Sequence, residues 1–237
     1  ISILTSILTI PQPMVFFGGT FDPVHFGHVA VAHAALTELE PKSLIVLPAG
    51  NPYQRGRAPF ASAQHRVEML RLGLGLTLGT VNAINTVDAN GNIRIDEREL
   101  KREGATYTFD TLTEIRAEFG NAHPFFWLIG SDAFAKLDTW HRWRDLFKLT
   151  NFAVIMRAGM DSSPEWGTEF SAEIRSRETT SDQPMPSAGA WIPLKTLPPP
   201  ISSTAVRAAL ANHKSIRAMV PLPVCDYIDK HHLYCLA

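Results

Sequence analysis

Apolar residues fall along this chain in short runs that alternate with amphipathic stretches. Residues 14–17 form a continuous apolar run that stops at Gly18-Gly19, which predicts a buried strand meeting a sharp turn. Over residues 28–39, Val31, Ala35 and Leu39 recur at i, i+4 and i+8, the spacing of one helix face. A second apolar run, residues 44–47, is stopped by Pro48, and a polar, proline-bearing loop covers residues 49–59. Ser62 predicts the cap of a helix running to Leu74, with Val67, Leu70 and Leu74 on one face.

Farther along, Ala89-Asn90-Gly91-Asn92 reads as a tight turn between short strands, the second at residues 93–95. A helix starts at Thr108 or Asp110, runs to Phe119 and is ended by Gly120-Asn121. The strongly apolar residues 125–129 predict a strand ending at Gly130-Ser131-Asp132. A short helix at residues 143–149 and a strand at 152–156 follow. Residues 158–188 are rich in Ser, Pro and Gly, with an exposed helix over 165–177. The last strand is expected at 191–194; past Pro198-Pro199-Pro200, helices cover 203–211 and 224–232.

Strand and helix alternate from end to end. That order predicts an α/β, Rossmann-like fold with a mainly parallel sheet and helices on both faces. With no internal repeat and no dividing linker, residues 14–237 read as a single domain. Residues 1–13 are read as an N-terminal extension, with Met14 as an alternative start. Their apolar part is far shorter than the roughly 20 residues that span a bilayer. In such sheets ligands lie outside the C-terminal strand ends, where the strand order reverses. Attention therefore falls on Gly18-Gly19 and on Gly130-Ser131-Asp132.

Composition narrows the classes. Of 237 residues, 45% are hydrophobic and 19% charged, which suits a packed core and not a disordered chain. The net charge of -1 gives no global attraction to duplex DNA or an acidic membrane, and no basic–aromatic run appears. Neither nucleic acid nor membrane is an expected partner, the expected location is the cytoplasm, and a homo-oligomer is left open. Cys225 and Cys235 lack CxxC spacing and read as reduced thiols. His231-His232 read as a polar helix end, and Trp127, Trp143 and Phe147 as packing residues. No set of metal-ligating side chains is expected.

The chemistry concentrates in Gly18-Gly19-Thr20-Phe21-Asp22-Pro23-Val24-His25-Phe26-Gly27-His28. Glycines let the backbone approach a ligand closely. Thr20 and Asp22 put polar groups beside the turn, and Pro23 stiffens the loop. His25 and His28, three residues apart at a helix start, can share one side. A helix N-terminus already favours phosphate, and imidazoles there can donate to oxygens that gain charge in a transition state. The segment is neither a Gly-Lys-Ser/Thr loop nor GxGxxG. A second element, Ile201-Ser202-Ser203-Thr204-Ala205-Val206-Arg207, sets hydroxyls at a helix start with an Arg one turn in. Taken with the first, it suits the outer phosphates of a triphosphate, which the guanidinium fork can grip.

These two segments resemble the signatures of the nucleotidyltransferase superfamily, its GGTFDPxHxGH and ISSTxxR motifs. Asp96-Glu97-Arg98-Glu99-Leu100-Lys101-Arg102, Thr106-Tyr107-Thr108, Thr111-Leu112, Gly130-Ser131-Asp132 and Thr139-Trp140 resemble, more narrowly, those of bacterial nicotinate-nucleotide adenylyltransferases. The resemblance implies transfer of an adenylyl group from ATP to nicotinate mononucleotide, with Mg²⁺, giving deamido-NAD and pyrophosphate. It implies catalytic roles for His25, His28 and Arg207, with His28 nearest the developing charge. It implies ATP contacts from Gly18, Gly19, Thr20, Phe21, Gly27, Arg55, Gly130, Asp132, Ile201, Ser203 and Thr204, with Asp132 on a ribose. Thr20, Tyr107, Thr108 and Trp140 would serve the mononucleotide, Trp140 by stacking, with backbone donors near Tyr107 and Trp140 reading the carboxylate. Asp96, Glu97 and Glu99 would organise Arg98 and Arg102. Pro52-Tyr53-Gln54-Arg55 departs from the family, which has His where Gln54 stands. Three rivals remain at this level: another phosphorylated acceptor such as phosphopantetheine, the amide mononucleotide, and a nucleotide-binding module without catalysis.

Overall fold

The computed structural model describes residues 12–51, 58–76, 92–156, 168–180 and 185–234. Arg55, Gln54, Cys235 and all but the last residue of the expected turn at 89–92 lie outside the described residues.

Six strands form one sheet: β1 (Met14–Gly19), β2 (Ser43–Pro48), β3 (Ile93–Ile95), β4 (Phe125–Gly130), β5 (Asn151–Ile155) and β6 (Trp191–Leu194). The spatial order is β3-β2-β1-β4-β5-β6 and every pairing is parallel. Successive strand side chains point to opposite faces, so near-continuous apolar runs fill two cores at once. Val15, Phe17, Leu44, Val46, Phe126 and Leu128 join one core. Met14, Phe16, Ile45, Leu47, Phe125 and Trp127 join the other, where Trp127 is buried as expected.

The helices are α1 (Phe26–Leu39), α2 (Ala63–Gly73), α3 (Thr108–Phe119), α4 (Ser131–Phe134), α5 (Trp143–Leu149), α6 (Thr168–Arg175), α7 (Ser203–Ala211) and α8 (Leu222–Lys230). α1, α2, α7 and α8 cover the first face; α3, α5 and α6 cover the second. No helix among the described residues is long and apolar enough to cross a membrane. β1 pairs with β2 on one side and β4 on the other, so the strand order reverses at β1/β4. The crevice of this fold class opens there, beyond Gly19 and Gly130.

Several expectations need correction. α6 is not an exposed helix: Phe170 and Ile174, at i and i+4, are buried in the second core. The buried face of α2 carries Arg66, Met69 and Leu70, while Val67 stays half-exposed. α1 begins at Phe26, two residues early, because His25 serves as its cap. α8 begins at Leu222, since Pro223 sits in its first turn, where a missing N–H costs nothing.

Candidate active site

Residues 18–28 form the turn from β1 into α1. Gly18 is required there by contact: a Cβ at this position would lie 2.5 Å from Trp127 Cζ2. Phe21 adopts a left-handed backbone, φ 51°, which costs a bulky residue roughly 1–3 kcal/mol. Burial of its ring offsets that strain. The ring meets Phe17 edge-on at 5.2 Å and His28 at 4.9 Å, centroid to centroid. Phe21 is thus turned into the core, and its ring is not available to a ligand in the crevice. The Asp22–Pro23 peptide is cis.

His25 and His28 are joined by the cap of α1. His25 Nδ1 accepts the His28 N–H, and His28 Nδ1 accepts the His25 N–H, each at 3.3 Å. A ring nitrogen that accepts carries no proton, so each neutral imidazole keeps its proton on Nε2. The rings stack with centroids 3.7 Å apart. Gly27 makes room for this pair: a Cβ there would lie 2.9 Å from the His25 ring and 3.3 Å from the Ile201 carbonyl oxygen.

That last distance brings α7 to α1. Ser203 Oγ donates to the Pro23 carbonyl at 2.9 Å, and Arg207 Nη1 donates to the Asp22 carbonyl. Arg207 Nη2 donates to Thr204 Oγ1 at 3.2 Å, and its guanidinium lies 4.5 Å over the Phe60 ring. Ser202 caps α7 by accepting from the Ala205 N–H. Two helix N-termini and a buried guanidinium therefore share one corner of the molecule, an arrangement that favours anions.

Asp22 faces inward. Its carboxylate accepts from Phe60 N at 2.7 Å, Ala61 N at 3.1 Å and Tyr234 Oη at 2.7 Å. The polar group expected beside the turn is therefore an internal tie. Arg66, at 2% exposure, is a second tie: Nη1 donates to the carbonyls of Thr20 at 2.9 Å and Ala49 at 2.8 Å, joining the ends of β1 and β2. Sequence reasoning missed Arg66 and Tyr234. For Arg66 one signal was present, a cation aligned with Met69 and Leu70 on the core face of α2.

Across the crevice, β4 ends at Gly130, and Asp132 is exposed in the first turn of α4. A Cβ on Gly130 would lie 2.8 Å from Asp132 Oδ1. Thr108 is the first residue of α3, whose cap, Tyr107, makes no side-chain capping bond. The first N–H groups of a helix lie outside its own ladder, so this end suits a carboxylate. The Tyr107 ring packs on His141 at 4.7 Å. Trp140 is half-buried against the second core, and its N–H donates to the Leu137 carbonyl at 2.9 Å. The Trp140 N–H itself is thus committed within the chain.

The acidic stretch organises cations, as expected for Asp96: it accepts from Arg98 N at 2.9 Å and Arg98 Nε at 2.7 Å. Glu99 reaches Arg102 through Thr111, whose hydroxyl donates to Glu99 at 2.8 Å and accepts from Arg102 at 3.1 Å.

A family model described as cytidylyltransferase-like matches residues 16–209. A probable nicotinate-nucleotide adenylyltransferase of Chromobacterium violaceum is 37% identical over 218 residues, covering 92% of this chain and 96% of the relative. One of Laribacter hongkongensis is 41% identical over 219 residues, covering 92% of both. The chain belongs to the nicotinate-nucleotide adenylyltransferase family. Among solved structures, the Plasmodium falciparum nicotinic acid mononucleotide adenylyltransferase complexed with NaAD aligns at TM-score 0.67. The alignment covers 94% of this chain and 97% of that one at 18% identity, a likeness of fold. The six-stranded parallel sheet is thus the family's nucleotidyltransferase architecture, with the GGTFDP and ISSTxxR segments at one corner of it.

Proposed function

We infer that the chain transfers the adenylyl group of ATP to nicotinate mononucleotide, giving deamido-NAD and pyrophosphate. Beside family membership, one observation carries this reading: the N-termini of α1 and α7 meet around Asp22 and Pro23 with His25, His28 and Arg207 gathered there. A phosphate oxygen of the mononucleotide attacks the α-phosphorus in line. The bond from that phosphorus to the bridging oxygen breaks, and its electron pair leaves with pyrophosphate. Positioning and charge stabilisation do the work.

Each residue has a part in this proposal. The Nε2–H groups of His25 and His28 donate to phosphate oxygens, His28 nearest the charge that develops. Arg207 and the first turn of α7, with Ser203 and Thr204, hold the outer phosphates, as does Arg55. The Ser203 hydroxyl, tied to Pro23, positions the turn, so the contact there falls to backbone N–H. Backbone at Gly18, Gly19, Thr20, Phe21 and Gly27 lines the triphosphate, and Gly130 and Asp132 receive the ribose. Trp140 stacks on the pyridine ring. The nicotinate carboxylate sits at the N-terminus of α3, beside Tyr107 and Thr108.

A divalent cation accompanies the ATP, and we propose Mg²⁺. Among the described residues no three His, Cys, Asp or Glu side chains gather into a cage, and Asp22 is filled by three donors. Triphosphate oxygens would hold the ion, which when bound would neutralise part of their charge. We place this chemistry in the cytoplasm, in one catalytic domain over residues 14–237.

The test is pyrophosphate release from ATP and Mg²⁺ with nicotinate or nicotinamide mononucleotide at matched concentrations. Strong preference for the acid is expected, because a pocket built for a carboxylate leaves its donors mismatched to an amide. Equal use of both discards the carboxylate pocket. Turnover with neither discards this acceptor.

A further inference from the structure

Tyr234 lies beyond α8, and 212 positions separate it from the Asp22 carboxylate to which it donates at 2.7 Å. Its side chain packs half-buried on the first core, and its backbone is left-handed at φ 64°. Asp22 joins three parts of the site. Its carboxylate takes Tyr234 and the N–H groups of Phe60 and Ala61, which lead into α2. Its carbonyl takes Arg207 of α7. Next to it, the Pro23 carbonyl takes Ser203.

We propose that Tyr234 is a positioning residue for the phosphate-binding turn, fixing Asp22 and through it Arg207 and the start of α1. The proposal rests on the reading that ATP phosphates bind at this turn. Tyr234 supplies the side-chain donor to a buried carboxylate; the other two donors are backbone. A hydrogen bond to an ionised acceptor is about twice as strong as a neutral one. Without it, among the described residues Asp22 Oδ1 keeps the Ala61 N–H, at 3.1 Å, and Oδ2 the Phe60 N–H, at 2.7 Å. The carboxylate, held then by backbone donors alone, is less firmly fixed, and so is the Asp22 carbonyl that orients Arg207. Burial and the nearby Asp22 charge both push the phenol above its ordinary range, which favours the protonated donor.

The experiment compares Tyr234→Phe with the unaltered chain. Phe keeps the ring on the core and removes only the hydroxyl. A second variant, Leu233→Ala, loosens the same tail without touching the phenol. Expected for Tyr234→Phe is a KM for ATP raised roughly tenfold with a lower kcat, while the KM for nicotinate mononucleotide changes little. Leu233→Ala should lower Tm while leaving the KM for ATP near that of the unaltered chain. If Tyr234→Phe lowers Tm with unchanged kinetic constants, the tail is a latch only and the proposal falls. It falls equally if Leu233→Ala raises the KM for ATP as much. Absence of turnover in the unaltered chain would instead remove the functional reading on which the proposal rests.

Discussion

His25 and His28 hold each other in place: each Nδ1 accepts the other's backbone N–H, and the rings stack at 3.7 Å. The same atoms cap α1 and set the tautomer of both imidazoles. His25 is the more deeply buried, at 6% exposure. Its replacement is therefore structural as well as chemical. His25→Ala should cost about 1 kcal/mol of stability through the lost cap, a fall of roughly 2–4 °C in Tm, together with a loss of kcat. Calorimetry beside steady-state kinetics checks it; an unchanged Tm would mean that the His25 cap contributes nothing to stability.

Arg66 joins the ends of β1 and β2 from below the site. Arg66→Met keeps much of the volume but takes a charged donor from two buried carbonyls. A loss of roughly 2–4 kcal/mol is expected from denaturant unfolding. The KM for ATP should rise as well, because the Thr20 carbonyl is one end of this tie. A variant of native stability would contradict a structural role for Arg66.

Most of the fold is legible where the signal is local. The expected strands fall within two residues of the six strands of the sheet, most of them apolar runs stopped by Gly or Pro, and Ser62 marks the start of α2. The cap of α1 is not legible, because a histidine stands where Ser, Thr, Asp or Asn usually signals a start. α6 reads as exposed because the polar residues around Phe170 and Ile174 hide a stripe of two. The two motifs of the site are plain in sequence. The ties behind them are not: Arg66 reaches Thr20 over 46 positions and Tyr234 reaches Asp22 over 212. Contacts of that separation leave no local pattern.

Glu99 makes stability depend on pH. Burial lifts its carboxyl above the ordinary range, and the Thr111 hydrogen bond and the Arg102 charge offset that only in part. The unfolded chain then ionises first as pH rises. Stability contributed by the protonated form is full below the ordinary carboxylate range and is lost as pH climbs through the folded value. Glu99→Gln keeps the acceptor for Thr111 and removes the ionisation. Its Tm relative to the unaltered chain should therefore be higher at about pH 8 than at about pH 4. The opposite trend would mean that the folded protein favours the ionised carboxylate.

Trp140→Ala tests the proposed stacking of Trp140 on the pyridine ring. Loss of a stacking platform costs about 1–3 kcal/mol per base. The KM for nicotinate mononucleotide should rise about tenfold or more, with a smaller effect on ATP. Equal effects on both substrates would count against stacking at this position.

The most direct measurement is the rate of pyrophosphate release from ATP and nicotinate mononucleotide by His28→Ala beside the unaltered chain. His28 lies at the first turn of α1 with its proton on Nε2, and the variant keeps the backbone N–H that His25 caps. If His28 donates to the developing charge, kcat should fall by about 10²–10³, the usual loss for one such donor, while Tm falls by no more than the roughly 2–4 °C expected for losing its half of the cap. A near-normal kcat would remove His28 from the chemistry, and with it the claim that the adenylyl group is transferred at the start of α1.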